Sequence, residues 1–176
     1  MGFENGNKDG KHYWLTPPQL MNDLNNEFHF DFDACPYPLP DGFDGLTGDW
    51  GNSTYVNPPF GSIVKNGKKY GPTAWARKAI IEFKKGKDVV LVYPIDKWVL
   101  MLLEHATEVR NLMDVKWCAT EDGSPGKGIG RHTACFILKH EEPKDKCPKC
   151  SRDAEFLKDL KMFSCMFCFI KWSDSK

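Results

Sequence analysis

Segment 54–62, TYVNPPFGS, places an asparagine amide beside an aromatic ring on a stretch of chain that cannot bend freely. Its first three residues have the Thr, Tyr and Val content of a strand end. Pro58 and Pro59 lack the backbone donors that a sheet ladder needs, and their rings fix φ. The pattern therefore predicts that Asn57 lies at the end of a strand, on a stiff loop that also carries Phe60.

Four of the seven cysteines form two Cys-x2-Cys pairs, CPKC at 147–150 and CMFC at 165–168. Two such turns, 14 residues apart, can place four thiolates around one tetrahedral ion, and we therefore predict a structural zinc site. A thioredoxin-like redox pair and two disulfides are the competing interpretations. The tail that contains these pairs is too short to bury a core alone, so zinc would supply its folding energy. The predicted ligands are Cys147, Cys150, Cys165 and Cys168.

The composition is that of an ordinary globular protein. The chain has 176 residues, of which 41% are hydrophobic and 27% charged, enough for one core and a small appendage. We therefore expect one domain over residues 1–142 and a zinc-ribbon-like tail over residues 143–176. No apolar run approaches the roughly 20 residues of a membrane span, and the first residues lack the apolar region of a secretory signal. These features predict a cytoplasmic protein with no membrane partner.

Charge is balanced over the whole chain but not locally. Lysine plus arginine equals aspartate plus glutamate, 24 each, so net charge does not indicate a nucleic-acid partner. Two Gly-rich loops, at 62–73 and 123–131, nevertheless carry basic residues that can contact phosphate. The alternative is that both are simply solvated loops. The candidate phosphate contacts are Lys65, Lys68, Lys69, Lys127 and Arg131.

Three segments have the spacing of helices. TPPQLMNDLNNEF at 16–28 begins with Thr16 as a plausible N-cap and with Pro17 at the first helical position. TAWARKAIIEFKKG at 73–86 places its apolar residues on one face and ends at a glycine. KWVLMLLEHATE at 97–108 is the third predicted helix.

Strand patterns alternate with these helices along the chain. FHFDFDAC at 28–35 alternates apolar and polar residues and predicts a half-buried strand. DVVLVYPID at 88–96 is a continuous apolar run, typical of a strand that is covered on both faces. Segments 109–117 and 131–140 are two further strand candidates, the first of them ambiguous. This alternation predicts an α/β protein with a largely parallel sheet.

Ligands of such sheets collect at the carboxyl ends of the strands. Three predicted strands end in polar signatures, namely DFDACPYP, NPPF and YPID. If these ends meet in one crevice, they supply carboxylates, an amide and aromatic faces. That combination suits a nucleoside-like cofactor together with a planar substrate.

Four motifs carry a resemblance to a known family. WLTPPQL at 14–20, EFHFDFDAC at 27–35, GLTGDW at 45–50 and NPPF at 57–60 stand in this order. In sequence and order they resemble the small phage-type, Dam-like DNA adenine-N6 methyltransferases, and the similarity extends over roughly residues 12–139. The resemblance implies a Rossmann-like fold that uses S-adenosylmethionine.

The resemblance also implies roles for individual residues. The Asn57 side-chain oxygen and the Pro58 carbonyl would accept hydrogen bonds from the exocyclic amine of adenine, with Pro59 holding that carbonyl in place and Phe60 stacking on the base. Either Asp49 or Asp44 would bind the cofactor ribose. The family's glycine-rich first motif is shortened here to DACP. The remaining cofactor contacts implied are Trp14, Thr16, Pro17, Asp33, Ala34 and Cys35.

Several functional alternatives stay open at this point. The resemblance implies a phage-encoded, monomeric or dimeric enzyme of the host cytoplasm that methylates double-stranded DNA with base flipping and protects it from restriction. Because the Asn-Pro-Pro-aromatic motif also serves other planar acceptors, an RNA adenine or a protein glutamine is an alternative substrate. A catalytically inert, zinc-containing DNA-binding module is the alternative from another class.

Overall fold

A computed structural model describes residues 9–65, 67–97, 99–140 and 145–173, with the side chain of Lys65 left out. The chain divides into two compact units after Lys139. The boundary that we predicted from the sequence, after residue 142, falls outside the described residues.

The first unit contains nine strands and three α-helices within its described residues. The strands are β1 (Tyr13–Leu15), β2 (Phe32–Asp33), β3 (Ser53–Val56), β4 (Ile63–Lys65), β5 (Lys68–Tyr70), β6 (Asp88–Pro94), β7 (Glu108–Asn111), β8 (Cys118–Ala119) and β9 (Thr133–Leu138). The helices are α1 (Pro18–Phe28), α2 (Pro72–Lys84) and α3 (Val99–Leu103).

The central sheet has the strand order β2-β3-β6-β9-β7 and is mixed. Strands β2, β3 and β6 are parallel, whereas β9 is antiparallel to both of its neighbours, β6 and β7. The prediction of a Rossmann-like α/β fold with a mostly parallel sheet is therefore wrong: the sheet is mixed, and strands outnumber helices among the described residues. Sequence patterns missed this because they carry no strand direction, and because most of the additional strands have only two to four residues.

Strand β6 lies at the centre of the core and is covered on both faces, as its continuous apolar run predicts. Val89 and Leu91 pack on the face that α2 and α3 cover, while Val90 and Val92 pack on the face that Leu24 of α1 covers. All of these side chains are buried. The α2 residues in the first cluster are Trp75, Ala76, Ala79 and Ile80, with Phe83 partly buried against them.

Helix α1 begins one residue later than the sequence predicts. Thr16 is not its N-cap: Pro17 occupies that position with φ −53° and ψ 134°, and no side chain caps the helix. A residue that precedes proline is disfavoured in helical conformation, so Pro18 forces Pro17 into an extended one. The Thr16 hydroxyl is consequently available for contacts elsewhere.

The predicted strand at 28–35 is mostly wrong. Only Phe32 and Asp33 pair with β3, because α1 continues to Phe28 and ends with His29 in the left-handed region at φ 50°. The Asp31 carboxylate then accepts hydrogen bonds from the backbone N–H groups of Asn52 and Ser53, at 3.0 Å each. Asp31 thereby fixes the start of β3 beside β2 and is used within the fold.

The second unit is a three-stranded antiparallel sheet. Its elements are β10 (Glu155–Leu157), a 3-10 helix (Lys158–Leu160), β11 (Met162–Cys165) and β12 (Ile170–Ser173), and β11 is the central strand. Phe163 is buried at its centre, with the rings of Phe156 and Trp172 at 5.1 and 5.8 Å. These three rings are the core of the unit.

Candidate active site and metal centre

Asn57 directly follows β3, at the edge of the sheet where β2 and β6 also end. Its amide nitrogen donates to the carbonyl oxygen of Trp14 at 2.9 Å and to Oγ1 of Thr16 at 3.1 Å. The structure therefore brings together two motifs that are about forty residues apart in the chain, WLTP and NPPF. The predicted placement of Asn57 at a strand end is confirmed.

The side-chain oxygen of Asn57 is buried and accepts no hydrogen bond from any described residue. The orientation of the amide follows from its neighbours: the Trp14 carbonyl can only accept, so the Asn57 group that faces it must be the nitrogen. The oxygen then points away from both partners. A buried polar atom that lacks a hydrogen-bond partner destabilises the folded state by about 1–3 kcal/mol. A ligand that donates a hydrogen bond to this oxygen would remove that penalty.

Tyr55 is a site residue that the sequence reading missed. Its hydroxyl lies 2.6 Å from Oγ1 of Thr16, so Tyr55, Thr16 and Asn57 form one hydrogen-bonded chain. Burial raises the pKa of Tyr55 well above its usual range, which keeps the hydroxyl protonated. The sequence did contain a signal, because residues two apart in a strand lie on the same face and Tyr55 precedes Asn57 by two.

Pro58 is buried, and the carbonyl oxygen of Pro59 accepts a hydrogen bond of 2.6 Å from the hydroxyl of Tyr93. This bond attaches the loop to β6. Phe60 is half-buried, and its ring makes edge contacts with the rings of Tyr93 and Trp117 at 5.6 and 4.9 Å. The ring predicted to stack on a base therefore packs against the protein in this structure.

Three predicted cofactor residues, Asp33, Ala34 and Cys35, lie at and just after the end of β2. The carboxylate of Asp33 accepts from the backbone N–H of Cys35 at 2.8 Å, and the N–H of Ala34 donates to the Tyr55 carbonyl at 2.9 Å. Burial raises the pKa of Asp33, although the Cys35 N–H partly offsets that effect. No described cationic side chain lies close enough to Asp33 to form an ion pair.

A cleft of about 360 Å³ lies between α1 and the end of β2. Met21, Asn22 and Asn25 of α1 line one side, and Asp33 and Tyr55 line the other. Its volume is at the lower end of the roughly 300–1,000 Å³ of small-molecule sites. Because Tyr55 also contacts Thr16, the cleft is connected to Asn57 through two hydrogen bonds.

Asp49 is not brought to this site. It precedes β3 and pairs with Lys85 at 2.9 Å, near the amino ends of the parallel strands and thus at the opposite edge of the sheet. Asp44 lies in a turn, where its carboxylate accepts from the Leu46 N–H and the Thr47 hydroxyl. Asp44 nevertheless stays near the end of β2, because the next residue, Gly45, packs so closely on the Ala34 carbonyl that a Cβ would not fit there.

Two groups of basic residues lie on the segments that continue from the site. Lys68 and Lys69 are exposed on the β4–β5 hairpin, which begins three residues after Phe60; the Lys65 side chain lies outside the described structure. Arg131 directly precedes His132, whose carbonyl accepts from the Ile95 N–H just after β6, at 3.1 Å. The loop that contains Lys127 and Arg131 thus reaches the same sheet edge as Asn57.

Trp117 fixes the base of that second loop and was not predicted as a site residue. Its carbonyl accepts from the Gly126 N–H at 2.8 Å, and its indole nitrogen is buried with no partner among the described residues. A Cβ at Gly126 would lie 2.8 Å from Tyr13 Cδ1 and 2.9 Å from the Trp117 oxygen, so only glycine fits this approach. The stretch DVKW in the sequence gave no signal for this role.

The second unit brings its four paired cysteines together. The sulfur atoms of Cys147, Cys150, Cys165 and Cys168 all lie within 4.8 Å of one another, in a cluster that can hold one metal ion. The Sγ atoms of Cys150 and Cys165 are 3.7 Å apart, much farther than the roughly 2.05 Å of a disulfide. Burial opposes ionisation of Cys165, but the backbone N–H groups of Cys168 and Phe167 lower the pKa of its thiol to about 7.

Comparisons with protein-family models, with curated proteins and with solved structures give no match to this chain. Among the described helices, none has the length and apolar character required to cross a bilayer. The function of the protein must therefore be inferred from the geometry of its own residues.

Proposed function

We propose that this protein is a methyltransferase that transfers a methyl group from S-adenosylmethionine to the exocyclic N-6 amine of adenine in DNA. The observation that carries the proposal is the buried, unpartnered side-chain oxygen of Asn57 at the carboxyl edge of the parallel strands. The motif in which Asn57 stands, NPPF, is the one that resembles adenine methyltransferases.

The exocyclic amine of adenine is a poor nucleophile because its lone pair is delocalised into the ring. Acceptors that bind the amine hydrogens draw electron density onto the nitrogen and stabilise the positive charge that develops there. Asn57 is suited to this role, because Trp14 and Thr16 hold its nitrogen and thereby aim its oxygen. The Pro58 carbonyl would be the second acceptor, since the bond from Tyr93 to Pro59 fixes the loop that carries it.

The cofactor would bind beside this acceptor, in the cleft between α1 and β2. S-adenosylmethionine supplies an electrophilic methyl group on a sulfonium. The half-buried Asp33 carboxylate has no cationic partner among the described residues, so a ligand hydroxyl or ammonium group would stabilise it. Ala34 and Cys35 directly follow Asp33, and Thr16, which precedes Pro17, bonds to Tyr55 on the wall of the cleft. Trp14 contributes the carbonyl that orients Asn57.

DNA is the partner that the basic residues near the site favour. Lysines of the hairpin after Phe60, together with Lys127 and Arg131, would contact phosphates on either side of the reacting base. The base must leave the duplex to reach Asn57, at a cost of a few kcal/mol. Because Phe60 packs against Trp117 in this structure, its ring would have to turn outward to stack on the base.

Zinc is the ion that we propose for the four-cysteine cluster. A tetrahedral site with zinc–sulfur distances of about 2.3 Å requires sulfur–sulfur distances of about 3.8 Å, and the Cys150–Cys165 separation is 3.7 Å. This pair of sulfurs is therefore already spaced for such an ion, and all four sulfurs lie within 4.8 Å of one another. Zinc would have a structural role, since four thiolates leave no open position for substrate.

The decisive experiment measures transfer of labelled methyl groups to unmethylated double-stranded DNA, followed by digestion to nucleosides. Asn57→Ala should lower the rate by about 100–1,000-fold, the effect of removing one transition-state hydrogen bond. Asn26→Ala, at an exposed position of α1, is the matched control and should retain full activity. Cofactor binding, measured separately by calorimetry, should persist in Asn57→Ala.

Other outcomes would redirect or refute the proposal. Methylation of RNA adenine or of a protein glutamine, with DNA unmodified, would keep the cofactor and the role of Asn57 but replace the substrate. A chain that binds no cofactor would be an inert DNA-binding module. Full DNA methylation by Asn57→Ala would contradict the mechanism itself.

A further inference from the structure

The tail unit carries a group of large apolar side chains that are exposed to solvent. Met166, Phe167 and Phe169 lie within and directly after the second cysteine pair, and are 68%, 65% and 89% exposed. We call these three residues the aromatic tip. Exposed apolar clusters of this kind mark interaction surfaces in stable proteins.

The aromatic tip is separate from the core of the unit. Phe163 is buried between Phe156 and Trp172, so the unit already has a packed aromatic centre. The tip residues follow β11 on the turn that leads into β12. Their exposure is therefore not a consequence of a core that failed to close.

Phe169 also holds a backbone conformation that disfavours its own side chain. Its φ is 55°, in the left-handed region that glycine or asparagine adopts much more readily than phenylalanine. The turn needs that conformation, because the Phe169 N–H bonds to the Cys165 carbonyl at 2.9 Å. The Phe169 ring gains no packing within the described unit. This lack of internal packing is expected of a ring that contacts an external partner.

The charges around the tip identify the kind of partner. The guanidinium of Arg152 lies 4.1 Å from the centre of the Phe167 ring. Lys149 is exposed within the first cysteine turn, and Lys171 is exposed on β12. Segments 146–152 and 163–173 contain no acidic residue, and the two carboxylates that border the first segment are engaged, Asp153 with Lys146 and Asp145 with the Trp172 indole. The surface thus combines cations with exposed rings, as single-strand nucleic-acid binding surfaces do.

We propose that the aromatic tip binds unpaired DNA, with bases stacking on Phe167 and Phe169 and with Arg152 and Lys149 contacting phosphates. Arg152 already stacks on one ring, and a planar cation above an aromatic face extends the surface on which a base can lie. The proposal rests on the proposed function only in taking DNA as the partner. It requires neither methyl transfer nor the cofactor.

The test is fluorescence anisotropy of the full, metal-loaded chain with a labelled single-stranded oligonucleotide, in the absence of cofactor. Phe167→Ala combined with Phe169→Gly should weaken binding at least tenfold. Glycine accepts φ 55°, so the tail should fold at least as well as before, which metal content and circular dichroism will verify. Leu160→Ala, an exposed apolar position of the same unit outside the tip, should leave affinity unchanged.

A second pair of variants separates stacking from charge. Arg152→Ala should reduce the salt dependence of binding by about one counterion, whereas Arg152→Lys should preserve the salt dependence and lose part of the affinity. Duplex of the same length should bind more weakly than single strand, since its bases are already stacked.

Three results would overturn the proposal. The first is unchanged affinity for single-stranded DNA in the Phe167–Phe169 variant. The second is a dimer of the wild type, detected by sedimentation, that the variant no longer forms although its DNA binding is unchanged. The tip would then be a contact between two copies of the chain. The third is tip-dependent binding to anionic lipid vesicles but not to DNA. Methyl transfer is measured separately, so tip-dependent DNA binding without methylation refutes only the proposed function.

Discussion

Replacing Glu82 by glutamine tests how the structure stabilises the first unit. The Glu82 side chain is fully buried, and its carboxylate accepts hydrogen bonds from the ammonium groups of Lys78, Lys85 and Lys87 at 2.8, 2.8 and 2.6 Å. It also accepts a longer bond of 3.4 Å from the Trp50 N–H. Glu82 therefore ties α2 to the segment that leads into β3, and so to the strand that carries Asn57.

The size of the effect follows from the pKa of Glu82. Burial alone would raise it, but the hydrogen bonds from the three lysines outweigh burial and lower the pKa from 4.5 to about 2. This difference corresponds to about 3 kcal/mol, at about 1.36 kcal/mol for each pKa unit. Because the pKa is depressed in the folded state, the stabilisation is fully present above about pH 5 and is lost as the pH falls toward 2.

Urea unfolding of the wild type and of Glu82→Gln, measured from pH 7 down to pH 2, is the assay. The variant should be less stable by about 3 kcal/mol at pH 7, and the difference should shrink as Glu82 becomes protonated in the wild type. Metal release at low pH affects both proteins equally, so it cancels in the comparison. Glu104→Gln, at an exposed carboxylate, is the control and should change stability by less than about 0.5 kcal/mol.

A stability difference that stays constant from pH 7 to pH 2 would refute this reasoning. It would mean that Glu82 acts through packing or that it is not ionised in the folded protein. A difference near zero at pH 7 would mean that the cost of burying the carboxylate offsets its attraction to the lysines.

Two further predictions concern the metal and one glycine. Removing metal with a chelator, or replacing Cys147 by serine, should unfold the tail while residues 9–139 stay folded. Amide hydrogen exchange measured by NMR will show which amides lose protection. A tail whose amides stay protected without metal would contradict a structural role for the ion. Gly126→Ala should destabilise the first unit by about 1–3 kcal/mol in thermal unfolding, because its Cβ would lie 2.8 Å from Tyr13. Gly48→Ala is the control, because its added Cβ would lie an ordinary 3.4 Å from the Asp44 carbonyl oxygen. Equal losses of stability in both variants would refute the steric argument.

Elements with a long, regular pattern were predicted well from the sequence. Helix α2 ends within two residues of its predicted stop, and β6 is covered on both faces as its apolar run indicates. The alternating segment 28–35 was misread, because α1 continues through Phe28 and only two of the residues find a strand partner. Local alternation competes with helix continuation, and the pattern alone does not decide between them.

The site was predicted only in part, because some of its features depend on neighbouring residues and others on tertiary contacts. The placement of Asn57 at a strand end follows from the two prolines, whose effect is local. The orientation of its amide depends on Trp14 and Thr16, which only the folded chain places beside it. Asp49 had the residue type expected of a ribose ligand, yet its position at the amino ends of the strands separates it from the cleft.

The sequence by itself determined the features that depend on neighbouring residues. These are the stiff loop after β3, the apolar strand β6 that is covered on both faces, and two cysteine pairs spaced for one ion. The tertiary structure alone decided the direction of β9, the hydrogen-bonded chain from Tyr55 through Thr16 to Asn57, and the edge of the sheet at which each polar residue lies. The physical reason is the distance along the chain over which each effect acts. Propensity, φ restriction and ligand spacing act over a few residues, whereas strand order and burial are set by the packing of segments that lie far apart in the chain.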